Sequence, residues 1–242
     1  MATRIRFESR AGHSVYCAML TNGSGYGASS TVRDAESLTV LTKLGVSADR
    51  VFFLGSRHAI ADRKLVYSLE HCLELLEKQL SLAVIDQIFC LAWEGGHPDH
   101  DASHLLALAF ARQRGLLQQT WQFSLYHGRG MPGGLFRVMT PLAPPKTWQR
   151  RRITLREAVA ISLLIRHYRS QRSSWVGLLP EAMLRLVAFR REVMQRVSCE
   201  AVLARPHEGA LLYERRFGVD YNTWRGAAEP FIRRHIFAQG AS

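Results

Sequence analysis

Two hydrophobic rhythms alternate along the chain. "SVYCAML" (14–20) is a short β-favouring run ended by the turn-rich "TNGSGYG" (21–27), which predicts a strand followed by a loop. "TVRDAESLTVLTKLG" (31–45) sets Val32, Leu38, Leu41 and Leu44 near helical spacing and stops at Gly45, a natural C-cap. "VFFLG" (51–55) predicts a second strand. From about Asp62 to Leu80, the residues Leu65, Leu69, Leu73, Leu76 and Leu80 form an apolar stripe at helical spacing. "AVIDQIFCLAW" (83–93) is a continuous apolar run of the kind found in parallel strands covered on both faces. Pro98 is placed to start the helix "DASHLLALAFARQRG" (101–115), which Gly115 closes. "TWQFSLY" (120–126) and "GLFRVM" (134–139) predict further strands around the loop "HGRGMPGG". After "PLAPPK" (141–146) the pattern turns helical, over about 154–171, 180–197 and 221–237.

Alternation of strand and helix predicts an α/β fold: a Rossmann-like, mostly parallel sheet flanked by helices, with a helical C-terminal extension. The α/β part is assigned to residues 1–145 and the helical part of the same domain to 146–242. No internal repeat or low-complexity tract interrupts it. In such sheets the ligand crevice lies at the carboxyl ends of the strands. "EGGHPDHDASH" (94–104) falls at that end of its strand.

Composition narrows the class. At 242 residues and 47% hydrophobic content the chain suits one globular domain. No apolar run reaches the ~18 residues of a membrane span. The opening "MATRIRFESR" carries charges where a signal peptide needs an apolar segment, so a cytoplasmic location is expected. Cys17, Cys72, Cys90 and Cys199 lie far apart in apolar surroundings, the pattern of free buried cysteines. The net charge is +12, with most of the excess after residue 149 in "WQRRRITLR", "FRREVMQR" and "ERRF". Such a surplus can draw in nucleic acid or anionic substrates, but solvated helix faces are the commoner source. The lack of a helix-turn-helix, zinc-finger or RNA-binding aromatic signature argues against nucleic acid.

In "HPDH", His97 and His100 flank Asp99 at a strand-to-helix turn. Neutral imidazole is a favoured zinc ligand, and a neighbouring carboxylate can orient an imidazole. The helix N-terminus favours a developing oxyanion. One imidazole can therefore bind metal while the other handles a proton or stabilises negative charge. "HDASH" also mimics the His-Glu-x-x-His helix of zinc proteases, but Asp101 is one methylene shorter than the required Glu. A Pro-initiated turn is also a poor place for that helix interior, and His104 is expected to cover part of the helix surface.

These residues resemble the PIG-L or LmbE-like N-deacetylases, zinc hydrolases acting on N-acetylglucosamine-type conjugates. "AGHSVYCAMLTNGSG" (11–25) resembles the family's second strand and its Thr-x-Gly loop, and "RDAESLTVLTKLGV" (33–46) its Arg-x-x-Glu helix. "FFLG" (52–55) resembles the next strand, "GGHPDH" (95–100) the second metal motif, and "IRHYRSQ" (165–171) a later helix. The resemblance covers nearly the whole parallel α/β part. It implies that His100 is a metal ligand, that His97 is a catalytic residue facing the amide carbonyl or leaving nitrogen, and that Asp99 tunes its neighbours. Arg33 and Glu36 match substrate-binding positions. His167, Ser170 and Gln171 fit a polar helix end equally well and stay outside the implied site.

The family's first motif, His-Pro-Asp-Asp, follows its first strand. Only twelve residues precede His13, and they contain no His and no Asp. That strand and motif are therefore expected to be missing. A catalytic zinc site takes three protein ligands plus an open position, so Zn2+ binding is expected to be weak and hydrolysis slow or absent. The economical explanation is a start codon inside the true frame or a lost gene beginning. Alternatively, "TRIRFES" (3–9) pairs as a substitute strand. The function implied is removal of the N-acetyl group from a small-molecule N-acetylated sugar conjugate. The rival is a non-catalytic relative that holds an anionic glycan or nucleotide sugar.

Overall fold

The computed structural model describes every residue except 25, 26, 28, 143–147, 172–179 and 238–242. The loop expected over 21–27 and the "PLAPPK" stretch lie partly outside the described residues. The chain divides into two compact units, Met1–Asp62 with Arg150–Val193, and Arg63–Gln149 with Met194–Ser242.

In the first unit, α1 (Ala2–Arg10) precedes β1 (Cys17–Met19), α2 (Ser30–Leu44) and β2 (Val51–Phe53). β1 and β2 are parallel, with Cys17 opposite Val51 and Met19 opposite Phe53. The connection through α2 is the expected crossover. Ser29 caps α2 by accepting from the Val32 N–H, and Gly45 ends it at φ 99°. Val40, Leu41, Leu44, Val46, Val51 and Ile161 form the core, against which Ile5, Val15, Cys17 and Met19 pack. Ile161 comes from α6 (Leu155–Leu164), capped by Thr154. The expected helix over 154–171 thus shortens to α6 and continues as 3-10 turns, Ile165–His167 and Arg169–Gln171.

"TRIRFES" lies within the helix α1 and, among the described residues, pairs with no strand. Arg4 bridges Glu8 one turn on at 3.0 Å. Thr3 and Arg4 are buried and both meet Glu192, which also takes Arg151 at 3.0 Å.

In the second unit, α4 (Leu69–Gln79) follows a 3-10 turn, Leu65–Ser68, and buries Leu69, Cys72, Leu73 and Leu76. The short helix α3 (Leu54–Arg57) belongs to the first unit. β3 (Ile88–Leu91), α5 (Pro98–Gln113) and β4 (Thr120–Phe123) form a second parallel crossover unit, Ile88 lying opposite Thr120. The apolar run begins at Ala83 but only its second half is strand. Ala102, Leu105, Leu108, Ala109 and Ala111 of α5 are fully buried, so this helix is covered nearly all round. β5 (Tyr126–His127) and β6 (Arg137–Val138) form a short antiparallel pair.

The helix expected over 180–197 is a finding of two parts. Residues 180–189 are helical, Arg190 adopts φ 45°, and β8 (Arg191–Arg196) runs antiparallel to β4, with Gln122 opposite Gln195. β7 (Trp148–Arg152) precedes α6. The α/β class stands, with small parallel and mixed sheets. The chain closes with α7 (Leu212–Phe217) and α8 (Tyr221–Phe231), followed by a π turn, Ile232–Ile236, after Pro230. Among the described residues all four cysteines are free, and no helix is long and apolar enough to cross a membrane.

Candidate metal and deacetylase site

His97, Asp99 and His100 come together where β3 hands over to α5. Pro98 supplies the fixed φ of the first helical position, and His97 is the N-cap. Its Nδ1 accepts the Asp99 N–H at 3.2 Å. In the neutral ring the remaining proton is then on Nε2, which makes His97 a hydrogen-bond donor on that side. Burial, then the neighbouring His100, Arg63 and Arg216, hold His97 well below its ordinary pKa, so the ring stays neutral. Phe217 packs edge-on against it at 5.1 Å between ring centres.

His100 lies 5.0 Å from His97 and 5.3 Å from Tyr126, ring centre to ring centre. Its buried Nδ1 has no hydrogen-bond partner among the described residues. Burial lowers its pKa to about 4, leaving a neutral imidazole with ligand capacity at pH 7. Those two properties fit a metal ligand. Asp99 is otherwise engaged: one oxygen accepts the Arg63 N–H at 2.5 Å and the other the Leu65 N–H at 3.1 Å. It fastens the segment before α4 to the start of α5.

Two acids that the sequence reading left unassigned build the turn. Asp101 is fully buried and accepts the N–H groups of Glu94 and Gly95, each at 3.1 Å. Glu94 is 1% exposed and accepts from the Ser124 hydroxyl, the Leu125 N–H at 2.7 Å and the Tyr126 N–H at 3.0 Å. Burial pushes Glu94 up to about 8 and Asp101 up to about 7. Their signal in the sequence was position alone, at the end of an apolar strand and in the first turn of a buried helix.

His104 does not cover the helix surface. It is fully buried, with Nδ1 2.8 Å from the Leu91 carbonyl oxygen, which removes it from any protease-like pair with His100. Arg33 and Glu36 lie on α2 in the first unit. Arg33 closes over Gly23, where an added Cβ would sit 2.8 Å from its Nη1. Glu36 accepts the N–H and hydroxyl of Ser170 at 2.9 and 2.6 Å. Tyr213 is fully buried, and Glu214 caps the start of α7 through the Leu211 N–H at 2.6 Å. His207 and Glu208 line a cavity of about 600 Å³ together with Trp93, Glu94, Arg129 and Arg205.

Residues 1–111 match the sequence model of the GlcNAc-PI de-N-acetylase (PIG-L) family. The fold is similar to the crystal structure of the antimicrobial reagent A40926 pseudoaglycone deacetylase Dbv21, with a TM-score of 0.57 at 16% identity. That similarity covers 86% of this chain and 92% of the other. No curated protein sequence matches the chain. The family match and the fold together support a deacetylase-type function.

Proposed function

From the match of residues 1–111 to the PIG-L family model, we propose a metal-dependent deacetylase that removes the N-acetyl group from an N-acetylglucosamine-type sugar conjugate. The observation that carries the reading is the opposed state of the two imidazoles. His97 spends its Nδ1 lone pair on the Asp99 N–H and keeps a donor on Nε2, whereas His100 Nδ1 has no partner among the described residues. His100 would hold a zinc ion, which when bound would lend Lewis acidity to the attack of water on the amide. His97 donates to the amide carbonyl oxygen as charge develops there, helped by the N-terminus of the 16-residue α5. Because burial keeps His97 neutral, its donor is fixed before the charge forms. Glu94 and Asp101 hold the backbone of the turn in place.

His-Pro-Asp-Asp does not occur in these 242 residues, so the chain by itself should bind zinc weakly. Zinc titration of purified protein, with acetate release from an N-acetylglucosaminyl conjugate, tests the reading. His100→Ala is expected to weaken zinc binding at least about tenfold. His97→Ala is expected to leave zinc binding unchanged and to cut kcat by about 10²–10³. Unchanged zinc affinity and unchanged acetate release in both variants would sink it.

The second reading is a non-catalytic relative that binds an organic anion. It rests on the 600 Å³ cavity, where Arg129 is exposed and Arg205 is shared with Glu214. Saturable binding of an anionic sugar without zinc, with no acetate released, would favour it.

A further inference from the structure

A surface of the first unit has no part in the deacetylase reading. α6 turns Ala158, Ile161 and Ser162 into the unit and leaves an apolar row on its other side. Leu155, Val159 and Leu163, at i, i+4 and i+8, are 50, 44 and 54% exposed. The helical residues 185–189 pack against α6, and 180–189 extend the row with Leu184 and Phe189, 58 and 60% exposed. The Ile153 N–H donates to the Arg190 carbonyl at 2.8 Å, which fixes the end of this second helix beside the start of α6. Single exposed leucines are ordinary, but a row on one helix continued by its neighbour is the kind of patch that marks an interaction site.

Arginines frame the row. Arg152 lies three residues before Leu155, Arg156 beside it, Arg166 three beyond Leu163, and Arg190 and Arg191 directly after Phe189. All five are exposed, and none has an ion-pair partner among the described residues. The nearby acids are taken: Glu157 and Glu192 by Arg151, and Glu181 by Arg185. Residues 150–193 contain ten Arg and three Glu, a net of +7 out of the chain's +12.

The occupant must be apolar in the middle and anionic around it. A second copy of this face would bring the same positive charge and repel. Nucleic acid would satisfy the arginines but leave the apolar row in water. An anionic phospholipid surface satisfies both, the row entering the headgroup boundary while guanidinium groups stay at the phosphates. We propose that this face docks the protein peripherally on an anionic membrane surface.

Co-sedimentation with vesicles is the test. Binding to phosphatidylcholine vesicles holding roughly 30% phosphatidylserine, in about 0.1 M salt, should exceed binding to pure phosphatidylcholine about tenfold. Raising the salt to about 0.5 M should remove most of it. Leu155→Ser with Leu163→Ser, and separately Arg156→Glu with Arg166→Glu, should each lower the partition coefficient about tenfold with unchanged thermal melting. The proposal fails if phosphatidylserine gives no preference, or if the serine variant binds as the parent does. It also fails if sedimentation equilibrium without lipid finds a dimer that the serine variant abolishes, which would assign the face to a second copy.

Discussion

Glu94 makes the stability of the turn depend on pH. Burial pushes its carboxyl from an ordinary 4.5 up to about 8, opposed only in part by bonds from Ser124, Leu125 and Tyr126. Between those values the folded chain holds a proton that the unfolded chain has lost, so this contribution declines as pH rises from 4.5 to about 8 and is flat above. His100 and His104 act in the opposite sense. Each is lowered from 6.5 to about 4, so their contribution is present above 6.5 and is lost as pH falls toward 4. Glu94→Gln removes only the first effect. The melting temperature of the variant relative to the parent should therefore climb between pH 5 and about pH 8 and then level off, and a difference that stayed flat throughout would mean that Glu94 titrates normally. Gly96 supplies a second residue-level test, because a Cβ there would lie 1.9 Å from the Tyr126 carbonyl oxygen. That carbonyl belongs to β5 and cannot step aside, so Gly96→Ala should cost about 3 kcal/mol or more in urea unfolding. The two histidines were legible in the sequence because a His-Pro-Asp-His turn after an apolar strand is a local pattern. Glu94 and Asp101 were not, because acidic residues in a sequence read as solvated, and their burial depends on Ser124, Tyr126 and the rest of the fold.

Element boundaries follow the same division between local and distant causes. α5 begins at Pro98 and is followed by Gly115 at φ 68°, as the sequence pattern predicted, because both signals are properties of single residues. The strand over 191–196 was read as helix, because the apolar spacing of Val193, Met194 and Val197 suits either form. Pairing of Gln195 with Gln122 and the left-handed Arg190 decide for the strand, and β4 lies about seventy residues earlier in the chain. Asp99 is another such long-range tie. Asp99→Ala would strip the Arg63 and Leu65 N–H groups of their acceptor, at about 1–3 kcal/mol for each group left unsatisfied. A lowered urea midpoint with an unchanged slope is the expected outcome. On α8 the sign reverses: Gly226 is exposed inside the helix and an added Cβ would meet nothing within 4 Å. Gly226→Ala should stabilise by about 0.5–1 kcal/mol, read from the same melts.

At the scale of the molecule, each unit is assembled from two separated stretches of chain, 1–62 with 150–193 and 63–149 with 194–242. The parallel crossovers around α2 and α5 were visible as alternating periodicity, since each closes within about forty residues. What covers the His97 turn was not, because Leu212 and Phe217 come more than a hundred residues later. The Leu212 N–H donates to the Gly95 carbonyl at 2.9 Å, Leu211 lies where a Cβ on Gly95 would collide, and Phe217 packs edge-on against His97. α5 also packs on the π turn that follows α8. The turn that presents both imidazoles therefore depends on the C-terminal segment for its cover. A chain ending at Val193 contains both stretches of the first unit and lacks the second stretch of the other. Hydrogen exchange on that shortened chain should preserve protection over 38–53 and abolish it over 98–113, because the apolar surface of α5 would lose the helices that seal it. Equal protection of both regions would mean that 63–149 suffices to order the His97 turn, and that the C-terminal helices only shield a structure already formed.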